Sequence, residues 1–75
     1  MDHAQFIAEF QKILENPVDG LNGPEQLEDV GWDSLALMAF IAMVDEQIGR
    51  ELSPRDVARC QTVDDLYKLA TNGAR

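Results

Sequence analysis

Apolar residues recur at helical spacing in several stretches of the chain, and turn-forming residues separate them. Phe6, Ile7, Phe10, Ile13 and Leu14 follow the i, i+1, i+4, i+7, i+8 pattern of one helical face. Asp2 stands in N-cap position, with Gln5 three residues on in capping-box position. Asn16-Pro17 predicts the stop, because the residue before a proline disfavours the helical region. Residues 16–33 then read as a long loop, broken by Pro17, Gly20, Gly23, Pro24 and Gly31. Leu21, Leu27 and Val30 are spaced to pin that loop to a core. Structureless loops of this length are uncommon in compact domains and tend to be functional.

Asp33-Ser34 opens a second helix that runs to Gln47 or Ile48, with Gly49 as its C-terminal stop. Ser53-Pro54-Arg55-Asp56 starts a short third helix, with serine as cap and proline at the first helical position. Thr62-Val63-Asp64-Asp65 starts a fourth, with an apolar face of Val63, Leu66, Leu69 and Ala70 and an end at Asn72-Gly73. Nothing alternates with period two and β-branched residues are sparse, so no sheet is expected. The expected fold is all-α: a small four-helix bundle of three main helices and one short one, as a single domain over residues 1–75.

The second helix departs from an ordinary amphipathic pattern. Leu35 to Val44 contains no charged residue. A surface helix has one apolar stripe; this one has two. Leu37, Phe40, Ile41, Val44 and Ile48 make the natural core seam. Leu35, Met38 and Ala42 make a second stripe, and Ser34 shares a face with Met38. Two readings stand: both stripes are buried in a central helix, or the second is an exposed patch for a partner. Met38 suits adaptable contacts, and Ala36 and Ala39 permit close backbone approach.

Composition narrows the class. Hydrophobic residues are 45% and charged residues 27%, near the globular average rather than the disordered regime. With 75 residues there is little spare volume for an enclosed active site. The formal net charge is −8, which argues against nucleic acid and against anionic membrane surfaces. Partners with basic faces fit better. The charge is uneven: residues 1–34 hold eight acids against Lys12 alone, a net of −7. The lone Cys60 cannot form an internal disulfide, and the chain suits a reducing cytoplasm. Cys60 reads as a small packing residue, with Arg59 beside it as weak grounds for a lowered thiol pKa. The N-terminus has no signal-peptide pattern, and no apolar run is long enough to span a bilayer.

Ser34 has two readings: an N-cap, or a hydroxyl freed for chemistry if Asp33 caps instead. A self-contained hydrolase is not supported, because the single histidine, His3, sits in an expectedly frayed terminus. Ser34 would then be a target for another protein's chemistry. A helix N-terminus accommodates a phosphodiester there.

Gly31-Trp32-Asp33-Ser34-Leu35 resembles the attachment motif of acyl carrier proteins, whose core is Asp-Ser-Leu after a glycine. Leu52-Ser53-Pro54 and Thr62-Val63-Asp64-Asp65-Leu66 resemble the starts of that family's third and fourth helices, so the resemblance covers essentially the whole chain. It implies that Ser34 carries a 4′-phosphopantetheine arm, donated from coenzyme A by a phosphopantetheinyl transferase. The arm ends in a thiol on which acyl or aminoacyl cargo rides as a thioester. The chain itself would be no enzyme but a monomeric carrier visiting loading and downstream enzymes. The resemblance gives Asp33 a part in transferase recognition through the transferase's metal–cofactor complex, with no standing metal site in the carrier.

Carriers of fatty acid synthesis typically place acids along the exposed side of the second helix. Here Ala36 and Ala39 follow the motif, and acids return only at Asp45 and Glu46. The pattern is more like carriers of polyketide, nonribosomal peptide or other dedicated pathways. Partners are expected to read Leu35, Met38 and Ala42, with Glu25, Glu28, Asp29 and Asp33 steering them. Trp32 stands where the fatty acid carriers have a small residue, and either packs under the loop or lies against the arm. Phe40, on the core seam, would narrow any cavity for cargo between helices. Tyr67 and Lys68 are expected on the outer side of the fourth helix, and Arg50, Arg55 and Arg59 read as solvated charge. An unmodified acidic interaction module, in which Ser34 is only a cap, is the alternative from another class.

Overall fold

The computed structural model describes residues 1–72. Four α-helices follow in order: α1 (His3–Ile13), α2 (Ser34–Ile48), α3 (Pro54–Ala58) and α4 (Val63–Asn72). Among the described residues there is no strand, only one isolated antiparallel bridge between Gln26 and Thr62. The expected bundle of three main helices and one short one is the observed fold. The Gly73 part of the expected α4 stop lies outside the described residues.

Local chemistry sets most helix ends. Asp2 Oδ1 accepts the Gln5 N–H at 2.8 Å, and Ser53 Oγ accepts the Arg55 N–H at 3.1 Å, ahead of Pro54. Gly49 closes α2 in the left-handed conformation (φ 77°), its N–H donating to Val44 O and Asp45 O. Before α4 the capping is reciprocal. Thr62 Oγ1 accepts the Asp65 N–H at 3.1 Å, and Asp65 Oδ2 accepts the N–H of Gln61 and of Thr62. The backbone donors of Gln61 and Thr62 hold the Asp65 carboxyl below its ordinary pKa.

α1 and α2 run in opposite directions. Phe6, near the start of α1, meets Phe40 at 6.0 Å between ring centroids, while Phe10, further along, stacks on Trp32 at 5.8 Å. Phe6, Phe10 and Phe40 are fully buried, with Val44, Val57, Val63, Leu66 and Ala70 completing the centre. Leu21, Leu27 and Val30 are buried too, and they tie the long loop to this core as expected.

Several expectations need correction. α1 stops at Ile13, not at Asn16, because Leu14 already has extended backbone (ψ 142°) and turns its side chain into the core. The Gln11 side chain clamps the returning chain, donating to Val18 O at 2.7 Å and accepting the Val18 N–H at 2.8 Å. The long loop is not wholly irregular: Leu27–Asp29 forms one 3₁₀ turn. The buried face of α2 is rotated from the expected seam. Ala36, Phe40, Met43 and Val44 are buried, while Leu37, Ile41 and Ile48 are only half-buried. The aromatic cluster shared with α1 lies on that side and draws the helix round.

His3 is not frayed. Its Nε2 donates to Asp64 Oδ1 at 2.8 Å, and its ring meets Tyr67 edge-on at 5.0 Å. Tyr67 is therefore half-buried between α1 and α4, with Phe6 at 5.1 Å, rather than outside; Lys68 is exposed. The loop joins the same knot, because the Asp64 N–H donates to Gly23 O at 2.8 Å. Gly23 has φ +129°, and a Cβ there would fall on the Asp64 carboxylate.

Gly23→Ala should therefore cost about 1–3 kcal/mol through backbone strain and a displaced Asp64. His3→Ala should cost about 1 kcal/mol or less, its partner being partly exposed. Both changes break the same contact, so urea unfolding of the double variant should show less than the sum. A strictly additive double variant would mean that Gly23 does not act through Asp64.

Candidate functional site: the start of α2

The segment leading into α2 is held from below. Trp32 is half-buried, stacked on Phe10 at 19° between ring planes and edge-on to Phe40 at 6.0 Å. It packs under the loop, the first of its two readings. Its backbone N–H donates to Leu27 O at 3.4 Å, which joins the 3₁₀ turn to the start of the helix. Gly31 (φ +78°) supplies the bend between them, a conformation that other residues adopt only with strain.

Asp33, with extended backbone, is the cap: its Oδ1 accepts the Ala36 N–H at 2.9 Å. Ser34 is thereby relieved of capping. It is the first helical residue, it is exposed, and among the described residues its hydroxyl has no hydrogen-bond partner. The hydroxyl sits in the first turn of a 15-residue helix, where partial positive charge accumulates. The chain's single histidine does not stand beside it. His3 begins α1 at the end away from Ser34, and the 11 residues of α1 make a rod of about 16 Å. Its Nε2 is moreover engaged with Asp64.

Leu35 is 81% exposed and Met38 60%, and Ala42 is exposed as well. The second stripe of α2 thus faces outward. Isolated exposed apolar residues need no explanation, but two large ones beside a free hydroxyl form a patch. Glu28 and Asp29 lie exposed on the 3₁₀ turn just before α2. Glu25 is placed differently from Glu28 and Asp29. Its carboxylate accepts the N–H of Gly23 at 2.7 Å and of Asn22 at 3.0 Å. Slight desolvation raises its pKa, and the N–H donors of Gly23, Glu25 and Asn22 together outweigh this and leave it below the ordinary value.

The site has a groove that periodicity did not reveal. α1 ends early, and the α2 positions facing its end are alanines, so a cleft of about 350 Å³ opens between Ile13 and Leu35 over Ala36 and Ala39. The only sequence signal for it was the pair of small residues, and the true end of α1 was needed to see what they face.

Cys60 lines an opening with Gln26, Leu27, Glu28 and Gln61. Burial pushes its thiol pKa up to about 11, with the Asp65 and Asp56 carboxylates adding to the effect. The neighbouring Arg59 does not lower it, and the thiol is a packing group. Among the described residues no helix is long and apolar enough to cross a membrane.

Fold and site together define a small helical domain with an exposed, unbonded serine in the first turn of a 15-residue helix. Residues 4–70 match the family model described as a phosphopantetheine attachment site, and the chain belongs to that family. No solved structure matched the chain. It is a carrier domain whose group is covalent 4′-phosphopantetheine, and such domains work with a phosphopantetheinyl transferase and with partner enzymes.

Proposed function

We propose that the chain is an acyl carrier of a dedicated, polyketide-type pathway, with Ser34 as its attachment residue. One observation carries the assignment to Ser34: Asp33 caps α2, which leaves the Ser34 hydroxyl exposed and unbonded in the helix's first turn. The fit to a phosphodiester is chemical. Asp33 satisfies the Ala36 N–H, and the N–H groups of Ser34 and Leu35 have no partner among the described residues. Ser34 Oγ attacks the β-phosphorus of coenzyme A and loses its proton to the transferase. The P–O bond to the nucleotide half breaks, and adenosine 3′,5′-bisphosphate leaves. When bound, the arm supplies the thiol to which cargo is joined.

The outward stripe supports the pathway assignment. Leu35, Met38 and Ala42 offer partners an apolar strip where an acidic helix would offer charge, and Glu28 and Asp29 supply steering from the preceding turn. Met38→Glu should leave stability unchanged, since the side chain is 60% exposed, and should lower the rate of loading by a cognate enzyme roughly tenfold. Unchanged loading would remove the strip from the docking surface.

A second reading, an aminoacyl or peptidyl carrier, draws on the filled core. The rings of Phe6, Phe10, Phe40 and Trp32 occupy the space between α1 and α2, so cargo is expected to ride outside the bundle. The attachment itself is tested with coenzyme A and a broad-specificity phosphopantetheinyl transferase, followed by intact mass and peptide mapping. A gain of one phosphopantetheine group on the peptide holding Ser34 is expected. No gain, or a gain mapped elsewhere, overturns the assignment and leaves Ser34 as a plain helix residue.

A further inference from the structure

Asn22-Gly23 is a pair in which asparagine cyclises readily, because the bare glycine backbone lets its nitrogen reach the preceding carboxamide. The fold treats the two partners of that reaction differently. Asn22 is exposed, and among the described residues its carboxamide has no hydrogen-bond partner, so the electrophilic carbon is free. The nucleophile is held. The Gly23 N–H donates to Glu25 Oε1 at 2.7 Å, and the Asn22 N–H donates to Oε2 of the same carboxylate at 3.0 Å. Gly23 is buried, and its carbonyl accepts the Asp64 N–H at 2.8 Å. Gly23 is thus tied on both sides, by Glu25 at its nitrogen and by the start of α4 at its oxygen. An ionised carboxylate against the N–H also opposes the amide anion that the attack requires, because two like charges would meet.

We infer that Asn22 is a latent modification site, masked by the Glu25 carboxylate in the folded chain and released when the loop opens. Once released, the Gly23 nitrogen attacks Asn22 Cγ. The nitrogen's proton passes to water, the new N–Cγ bond forms, and the Cγ–Nδ2 bond breaks with loss of ammonia. Water then opens the cyclic imide at one of its two carbonyls. Cleavage between Cγ and the nitrogen leaves aspartate at position 22. Cleavage between the backbone carbonyl and the nitrogen leaves isoaspartate, with the chain rerouted through the side chain and lengthened by a methylene. Water is the only co-reactant. The isoaspartate product cannot refasten the loop. Gly23 has φ +129° and packs so closely on Asp64 that a Cβ would fall on that carboxylate, which leaves no slack for a longer backbone. The same Asp64 holds His3, so the lost fastening reaches the start of α1 as well. An excursion to the open loop therefore leaves a permanent covalent mark. None of this depends on the role of Ser34.

The test follows conversion at position 22 in warm, mildly alkaline buffer, by peptide mapping and by methyl labelling with an isoaspartyl methyltransferase. The folded parent should convert about tenfold more slowly, or slower still, than the same chain in urea, where Asn72-Gly73 serves as a reference for the reaction. Glu25→Gln offers one accepting side-chain oxygen where the carboxylate offers two, and it should convert roughly three- to tenfold faster than the parent while still folded. Ile41→Ala, destabilised at a half-buried position of α2, should convert at the parent's rate, because conversion follows local opening of the loop and not global unfolding. Amide exchange on the parent needs no variant: the Gly23 N–H should exchange about tenfold more slowly, or slower still, than in urea. Parent chain aged in urea and returned to buffer should refold less completely than Asn22→Gln treated alike, since the longer side chain would have to close a larger ring. Equal conversion in the folded parent and in urea overturns the inference, and so does an unprotected Gly23 N–H. Conversion unchanged in Glu25→Gln, or accelerated as much in Ile41→Ala, overturns the masking by Glu25. An aged parent that refolds as completely as aged Asn22→Gln overturns the loss of the fastening.

Discussion

Replacing Ser34 by alanine is expected to abolish phosphopantetheine loading completely while leaving the fold untouched. The two effects separate because the structure divides the labour at the start of α2. Asp33 holds the helix end, through its 2.9 Å bond to the Ala36 N–H, and Ser34 adds no contact to the core or the cap. Alanine is also the best helix former, so Ser34→Ala should leave thermal unfolding within about 2–4 °C of the parent. Asp33→Ala should do the reverse in part. It removes the cap, at a cost of about 1 kcal/mol, and lowers the melting temperature by roughly 4–8 °C. It should retain loading at a reduced rate, because the hydroxyl remains but is less well fixed. Intact-mass kinetics and a thermal melt on both variants check this. A Ser34→Ala variant that still gains mass, or that unfolds like Asp33→Ala, would contradict the division.

That division was half legible in the sequence. Every helix start was readable, because Asp2, Asp33, Ser53 and Thr62 act on the backbone within three residues of themselves. Gly49 ends α2 for an equally local reason. What escaped were features made by residues far apart in the chain. The early end of α1 depends on Gln11 bonding to Val18 across a turn, and Asn16-Pro17 gave no sign of it. His3 is fixed by Asp64, 61 positions away, so a terminal histidine looked frayed. The seam of α2 was misjudged by the width of one residue. Periodicity finds an apolar side but cannot say which neighbour will cover it, and the rings of Phe6 and Phe10 favour Ala36 and Met43 over Leu37 and Ile41. The Asp-Ser-Leu tripeptide was visible at once. Spacing also set Leu35 and Met38 apart as a second stripe and left open whether it was buried or exposed; the cleft between Ile13 and Leu35 was not visible, because it follows from where α1 stops.

The same aromatic packing bears on cargo, and it sets the largest stability effect expected in the molecule. Phe40 is fully buried and meets three rings, Phe6 at 6.0 Å, Phe10 at 6.4 Å and Trp32 at 6.0 Å. Phe40→Ala should cost about 3–5 kcal/mol, from lost burial and the cavity left behind. A chain of 75 residues at about 0.05–0.15 kcal/mol per residue has only about 4–11 kcal/mol in all. The variant should therefore melt on the order of 20 °C lower or fail to fold at room temperature. Phe40→Leu, which keeps an apolar side chain of smaller volume, should fold and lose less, giving a measurable series by urea denaturation. The cavity would open among the rings of Phe6, Phe10 and Trp32. An acyl group joined to the arm should thus leave the parent's unfolding midpoint unchanged, since the rings fill the core behind the open cleft between Ile13 and Leu35. In Phe40→Leu the same acyl group should raise the midpoint by filling the space, as any ligand that binds only the folded state does. A parent chain markedly stabilised by acylation would show that cargo enters the bundle by another route than the one Phe40 closes.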